Sequence, residues 1–229
     1  MNCVKVKKIF CFILFVIILF NQFKIMIFSS KEVYRSASEH SKKIALTFDD
    51  GPHPKLTDKI LDVLEKYNIK ATFFVIGNNV DLYSKPLKRA VEAGHEIGNH
   101  TNSHILLEKL NNESIKAEIN QCYKKVYSTT GYSMNLLRPP CGKTNDQVIN
   151  IAKELGYKTI LWNVDTHDWS HATMKEIVDN INKNVIGGDI ILFHDYISGS
   201  QNTVGALDVI IPMLHEKGYE FVTISELIK

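Results

Sequence analysis

The sequence predicts an α/β fold: a distorted (β/α) barrel of about seven parallel strands, preceded by an N-terminal transmembrane helix. Three observations carry this reading. From residue 43 onward, short apolar runs rich in β-branched and aromatic residues alternate with longer stretches of helical period. The short runs are apolar on both faces, as strands buried in a parallel sheet are. Ionisable residues gather just beyond one end of nearly every such run. Seven strand runs and six helical ones fall short of a full eight-unit barrel, and a doubly wound open sheet is the alternative. Either architecture places function at the C-terminal strand ends.

The chain opens with a basic tail, residues 1–8, containing Lys5, Lys7 and Lys8. Residues 9–20 are apolar without a break, and residues 25–28 extend the run. The whole span 9–28 is about long enough to cross a bilayer. Basic residues before it predict a cytoplasmic N-terminus and a domain outside, with the span as an uncleaved signal anchor. Signal cleavage and secretion is the alternative. Residues 29–42 are polar and read as a linker, and residues 43–229 as the catalytic domain.

Within that domain, strand 44–48 leads to a helix over about 55–67, with Ile60, Leu61 and Leu64 on one face. Strand 72–76 precedes a helix near 85–93, closed by Gly94, and a short strand follows at 96–99. Ile115, Ile119, Cys122 and Val126 mark a helix running to about 129. Strand 136–138 is stopped by Pro139-Pro140. Helix 145–155, strand 159–164, helix 174–185, strand 189–193, helix 203–217 and strand 220–224 complete the pattern.

The 229 residues are 45% hydrophobic and 23% charged, enough for one substantial core. A net charge of +2 and the lack of any basic-aromatic stretch argue against a nucleic-acid partner. Of the four cysteines, Cys3 and Cys11 fall in the N-terminal segment, and Cys122 and Cys141 form no Cys-x-x-Cys pair. Neither a disulfide framework nor a cysteine zinc site is implied.

The strand ends carry the chemistry. Asp49-Asp50-Gly51-Pro52 ends the first strand, and two adjacent carboxylates there resist joint ionisation unless a cation relieves them. His100 and His104 stand four apart, which on a helical turn would aim both imidazoles at one divalent metal. Position 101 is Thr, so the glutamate of a zincin motif is absent, and the base must come from elsewhere. One aspartate with the two histidines would leave an open metal position, as hydrolysis requires; the pair at 49 and 50 offers both a ligand and a base. Arg138 to Gly142, Asp165 to Trp169, and His194-Asp195 stand at the other ends.

Thr47-Phe-Asp-Asp-Gly-Pro52, His100-Thr-Asn-Ser-His104, Arg138-Pro-Pro140, Asp165-Thr-His-Asp-Trp169 and Ile190-Ile-Leu-Phe-His194 resemble the five ordered motifs of the polysaccharide deacetylases. These are the NodB-type enzymes of carbohydrate esterase family 4, and the resemblance covers residues 43–229. It implies a distorted barrel, a divalent metal (Zn2+, with Co2+, Ni2+ or Mn2+ as alternatives) and hydrolysis of N-acetyl groups on amino sugars. Position by position, it implies Asp49 as general base, and Asp50, His100 and His104 as metal ligands. Arg138 matches the partner of the base, His194 the general acid, and Asp168 the carboxylate that orients it. Trp169 and Leu192 match walls of the acetyl pocket, with Pro140 and Asp165 also on the substrate side. An aromatic residue usually follows Arg-Pro-Pro; here Cys141 stands there, supplying the oxyanion contact through its backbone N–H and reshaping one side of the groove. The expected partners are an N-acetylated glycan, foremost the N-acetylglucosamine of peptidoglycan, and the membrane, with the chain acting as a monomer. Chitooligosaccharides, O-acetyl xylan, or glycan binding without turnover are the alternatives.

Overall fold

The computed structural model describes residues 33–37, 41–196 and 202–229. The expected basic tail and membrane span, and the first part of the linker, lie outside the described residues. None of the described helices is long and apolar enough to cross a membrane.

Nine strands and eight α-helices occur among the described residues. In chain order they are β1 Val33–Tyr34, β2 Lys43–Asp49, α1 Leu56–Lys66, β3 Thr72–Val75, α2 Gly77–Leu82, α3 Ser84–Glu92 and β4 Glu96–Asn99. Then come α4 Asn112–Thr130, β5 Leu136–Leu137, α5 Asp146–Glu154, β6 Lys158–Ile160, β7 Val164–Asp165, α6 Met174–Asn184, β8 Ile190–His194, α7 Asn202–Glu216, β9 Glu220–Phe221 and α8 Ile224–Leu227. The spatial order is β1-β6-β5-β4-β3-β2-β8-β7, with β9 added on β2, and all neighbouring strands are parallel.

The sheet curls because its two faces are filled differently. Along β2, Ile44, Leu46 and Phe48 face outward into a large core shared with the helices, together with Phe73, Ile97, Ile191 and Phe193. Ala45, Phe74, Leu136, Ile160 and Ile190 face inward, into a smaller plug closed by Val222, Ile224 and Leu227. Strand side chains alternate between faces, so Thr47 and Asp49 continue the inward row of β2, and Leu192 and His194 that of β8. The functional side chains therefore stand on top of the inner plug, at the C-terminal ends. A doubly wound sheet would carry helices on both faces; among the described residues the short terminal α8 is the helix that fills the inner face.

Four expectations change. Predicted strand 159–164 is two strands, with β6 on β5 and β7 on β8, near opposite ends of the sheet. Between them Asn163 uses its side chain on the start of β8, accepting from Ile190 N at 2.9 Å and donating to Asp189 at 2.5 Å. Those bonds replace a ladder and carry the chain across the seam. Second, Val33 and Tyr34, read as linker, pair with Thr159 and Ile160, while Ala37 N donates to Gly188 O at 2.8 Å and bridges the same seam. Third, residues 77–82 form the additional helix α2. Fourth, predicted strand 220–224 stops at Phe221, because Thr223 and Glu226 form a capping box that starts α8.

Candidate active site

The β2–β8 register sets Asp49 opposite His194 and Thr47 opposite Leu192. After Asp49 the chain turns sharply. Asp50 has φ 75° and the Gly51–Pro52 peptide is cis. A Cβ on Gly51 would fall 2.1 Å from Asp195 Oδ2, so only glycine fits against this buried carboxyl. Burial pushes the Asp195 carboxyl up to about 7, and its Oδ2 accepts from Thr57 Oγ1 at 2.5 Å. The turn brings Asp50 over the cavity beside Asp49.

His100 and His104 do meet, though not on a helical turn. The segment after β4 is a tight turn with Thr101 at φ 68° and His104 at φ 58°, which leaves the two rings 5.0 Å apart. His100 Nδ1 donates to the Arg138 carbonyl at 2.7 Å, which directs its Nε2 towards Asp50. Asp50 Oδ1 lies 3.3 Å from His100 Nε2 and 3.2 Å from His104 Nε2, yet this buried oxygen has no hydrogen-bond partner. Three donor atoms within 4.8 Å of one another, aimed at a shared point and not at each other, fit a divalent cation. The electrostatics agree. Burial opposes charge on His100, but Asp49 and Asp50 outweigh it and raise its pKa. Burial likewise would raise Asp50, and the two imidazoles hold it far below the carboxylate range. The site thus demands positive charge, which a proton or a metal ion can supply.

Arg138 is fully buried. Its guanidinium donates to Asp49 Oδ1 at 2.7 Å, Thr47 Oγ1 at 2.8 Å and Leu161 O at 3.1 Å. Phe74 and Trp162 cover it at 4.1 and 5.5 Å from their ring centroids. Asp49 is thereby fixed in position with one oxygen committed to Arg138.

Across the cavity, His194 Nδ1 donates to Asp168 Oδ1 at 2.8 Å. Asp168 Oδ2 accepts from His194 N and from Thr203 Oγ1, both at 2.9 Å. Burial alone would lower the His194 pKa; Asp168, aided by Asp49 and Asp50, raises it to about 9. A protonated imidazole, its Nδ1 held by Asp168, therefore lines the same cavity as the Asp49 carboxylate, the pairing that acid–base hydrolysis needs.

Asp49, Asp50, His100, His104 and His194 line one cavity of about 430 Å³, together with Cys141, Trp162, Asp165, Trp169 and Leu192, with Arg138 and Asp168 buried behind it. Asp165 Oδ1 accepts from Trp169 Nε1 at 3.2 Å and from His167 N at 2.8 Å, so it orients the exposed indole. Cys141 is exposed at the wall with φ 55°. Pro140 is buried behind it, opening the short turn Pro140–Gly142. Cys122 lies in the outer core, where burial pushes its thiol up to about 12, a structural and not a reactive cysteine.

The sequence profile of the polysaccharide deacetylase family matches residues 36–160. The chain belongs to the polysaccharide deacetylase family. It is 42% identical over 192 residues to a peptidoglycan-N-acetylglucosamine deacetylase of Bacillus cereus, an alignment covering 83% of this chain and 90% of the relative. It is 40% identical over 187 residues to the peptidoglycan-N-acetylglucosamine deacetylase PgdA of Listeria monocytogenes, covering 82% of this chain but only 39% of that longer protein. Among solved structures it resembles the Bc1960 peptidoglycan N-acetylglucosamine deacetylase in complex with 4-naphthalen-1-yl-N-oxidanyl-benzamide. The TM-score is 0.84 at 37% identity, over 86% of this chain and 92% of that one.

Three residues in contact with this site have partners that the sequence does not reveal. Trp162 falls in the run expected to be one core strand, but it lines the cavity and covers Arg138; a Cβ on Gly142 would come within 2.9 Å of its ring. Thr47, within β2, accepts the second hydrogen bond of Arg138. Thr203 lies in the first turn of α7 and bonds Asp168 across 35 residues of sequence. A tryptophan three residues before an Asp-x-x-Asp-Trp run is a usable signal; nothing in the local pattern marks the contacts of either threonine.

Proposed function

We propose that this polysaccharide deacetylase removes the N-acetyl group from N-acetylglucosamine in peptidoglycan, releasing acetate and leaving the free amine. The observation that carries the reading is the buried, unpartnered Asp50 Oδ1 between His100 and His104, flanked in one cavity by Asp49, which Arg138 holds from behind, and His194, which Asp168 holds. The relatives named above supply the choice of glycan.

Asp50, His100 and His104 would hold the divalent ion, Zn2+ in our reading. When bound, it supplies Lewis acidity that polarises the acetamide carbonyl and acidifies water. Asp49 accepts the proton of the attacking water, and its ion pair with Arg138 holds it in place for that transfer. In this reading the Cys141 backbone N–H donates to the developing oxyanion. His194 delivers its Nε2 proton to the departing nitrogen as the carbon–nitrogen bond breaks, and Asp168 steadies the imidazole throughout. Leu192 and Trp169 wall the space for the acetyl methyl, and Asp165 sets the indole.

Acetate release from purified peptidoglycan, chitooligosaccharides and acetylated xylan tests this. Release from peptidoglycan should vanish after chelation and return with Zn2+. Metal-loaded protein that releases acetate from acetylated xylan alone would make it an esterase; release from none of the three would leave a binding protein.

Residues 9–28 are proposed to anchor the domain outside the membrane, beside the wall it acts on. Lys5, Lys7 and Lys8 support that orientation. Protease added to intact cells should digest the domain, and protection equal to that of a cytoplasmic control would reject the topology.

A further inference from the structure

The turn that brings His104 round to His100 belongs to no helix or strand, and it holds two non-glycine residues in left-handed conformation. Such a turn persists only if its surroundings over-determine it. Asn99 Oδ1 accepts from Thr101 N at 2.9 Å, and Thr101 Oγ1 accepts from His104 N at 3.1 Å. Gly77 N and Asn78 N donate to the Thr101 and Asn102 carbonyls at 3.0 and 2.9 Å. The backbone N–H groups of Asn102 and Ser103 remain, and one carboxylate takes both. Glu118 Oε2 accepts from Asn102 N at 3.0 Å and Ser103 N at 2.8 Å, while its Oε1 accepts from Ser103 Oγ at 2.9 Å.

Glu118 is set rigidly. It projects from α4, whose Ile115, Ile119 and Cys122 are fully buried. The same helix is tied to β4 by Asn99 Nδ2 donating to Ile119 O at 2.9 Å, and to β3 by Cys122 Sγ donating to Val75 O at 3.3 Å. An ionised acceptor bonds such N–H groups more strongly than a neutral one. Both carboxylate oxygens are committed to the turn, so Glu118 is not itself a ligand.

We propose that Glu118 is a positioning residue for the metal site: it fixes the 101–104 turn so that His104 stays within ligand reach of Asp50 and His100. This rests on the metal reading of those three residues. Groups outside the ligand shell that orient the ligands commonly alter metal affinity by about 10–100-fold when lost.

The test is Zn2+ affinity of the full chain, measured by competition with a chromophoric chelator. The variants are Glu118→Ala, Glu118→Gln, Ser103→Ala and His100→Ala, with thermal melting of each metal-free form. Glu118→Ala should weaken Zn2+ by about 10–100-fold. Glu118→Gln, which keeps oxygens for only part of the cluster, should fall between Glu118→Ala and wild type. Ser103→Ala, which loses one bond at the surface, should change affinity by less than about threefold. Activity of both Glu118 variants should return to within a few-fold of wild type at saturating Zn2+, because Glu118 touches no substrate. Affinity unchanged in Glu118→Ala and Glu118→Gln, with His100→Ala unable to bind, would overturn the proposal. So would a drop in melting temperature in both Glu118 variants with Zn2+ affinity intact in the folded fraction. Wild type that fails to bind Zn2+, or His100→Ala that binds it as well, would instead overturn the metal reading itself.

Discussion

Asp168→Asn should shift the alkaline limit of activity downward by about two pH units or more. The His194 imidazole is 13% exposed and its partner carboxylate 0%, with 2.8 Å between Nδ1 and Oδ1. Burial pulls the imidazole down, and Asp168, with Asp49 and Asp50 behind it, raises it from 6.5 to about 9. That difference corresponds to about 3 kcal/mol of preference for the imidazolium. Asparagine keeps the shape but removes the charge, so burial acts with only Asp49 and Asp50 against it. The imidazole then titrates near or below its ordinary value, and at neutral to mildly alkaline pH the protonated fraction falls from nearly all to roughly a tenth. Turnover there should drop about tenfold or more, and part of it should return on acidification. Stability follows the same group. A raised native pKa means the pair stabilises the fold fully below about 6.5 and that this contribution is lost as pH rises through about 9. Wild type should therefore lose more stability than Asp168→Asn over that window. Acetate release against pH, with histidine ring titration by NMR, checks both statements. An alkaline limb that coincides in the two proteins would refute the role given to Asp168.

Asp49→Asn should bind Zn2+ almost normally and lose on the order of 10²–10⁴ in turnover without recovery by added metal. Asp50→Asn should bind Zn2+ weakly and regain part of its activity as Zn2+ is raised; recovery in the reverse pattern would exchange the two roles. Arg138→Met leaves the Asp49 carboxylate, only 4% exposed, without its partner, and should cost about 3–5 kcal/mol of stability. For a domain of this size the melting temperature should fall by on the order of 10 °C, and a decrease of only a degree or two would mean that the pair contributes little.

Much of the fold was legible because parallel β/α alternation leaves a strong periodic trace. The runs at 44–48, 72–76 and 96–99 correspond closely to β2, β3 and β4, and the long helices fall within a residue or two of their expected ends. The failures share a cause. Residues 159–164 have strand composition throughout, and nothing local says that the chain changes neighbours at Leu161–Asn163. Val33 and Tyr34 are too short a run to signal a strand, and they become one only because β6 offers a free edge. Thr223 and Glu226 form a capping box that is readable in the sequence, but the strand-prone residues before it extend the apparent strand across its start.

At the site, residue types were visible in the sequence and their partners were not. Paired aspartates, spaced histidines and the Arg138, Asp168 and His194 positions belong to strand ends, and a parallel sheet sends all those ends to one face. That much follows from chain order alone, and so does the kind of chemistry those groups can do. The tertiary structure decided that Asp50, not Asp49, stands nearest both His100 and His104, because the turn at Gly51 rotates one carboxylate towards the imidazoles while the strand pleat aims the other at Arg138. It also decided that Thr47 and Trp162 hold Arg138, that Thr203 holds Asp168, and that Glu118 holds the histidine turn. Those contacts depend on sheet register and on how helices dock against it, and residues joined that way leave no common period or spacing in the chain.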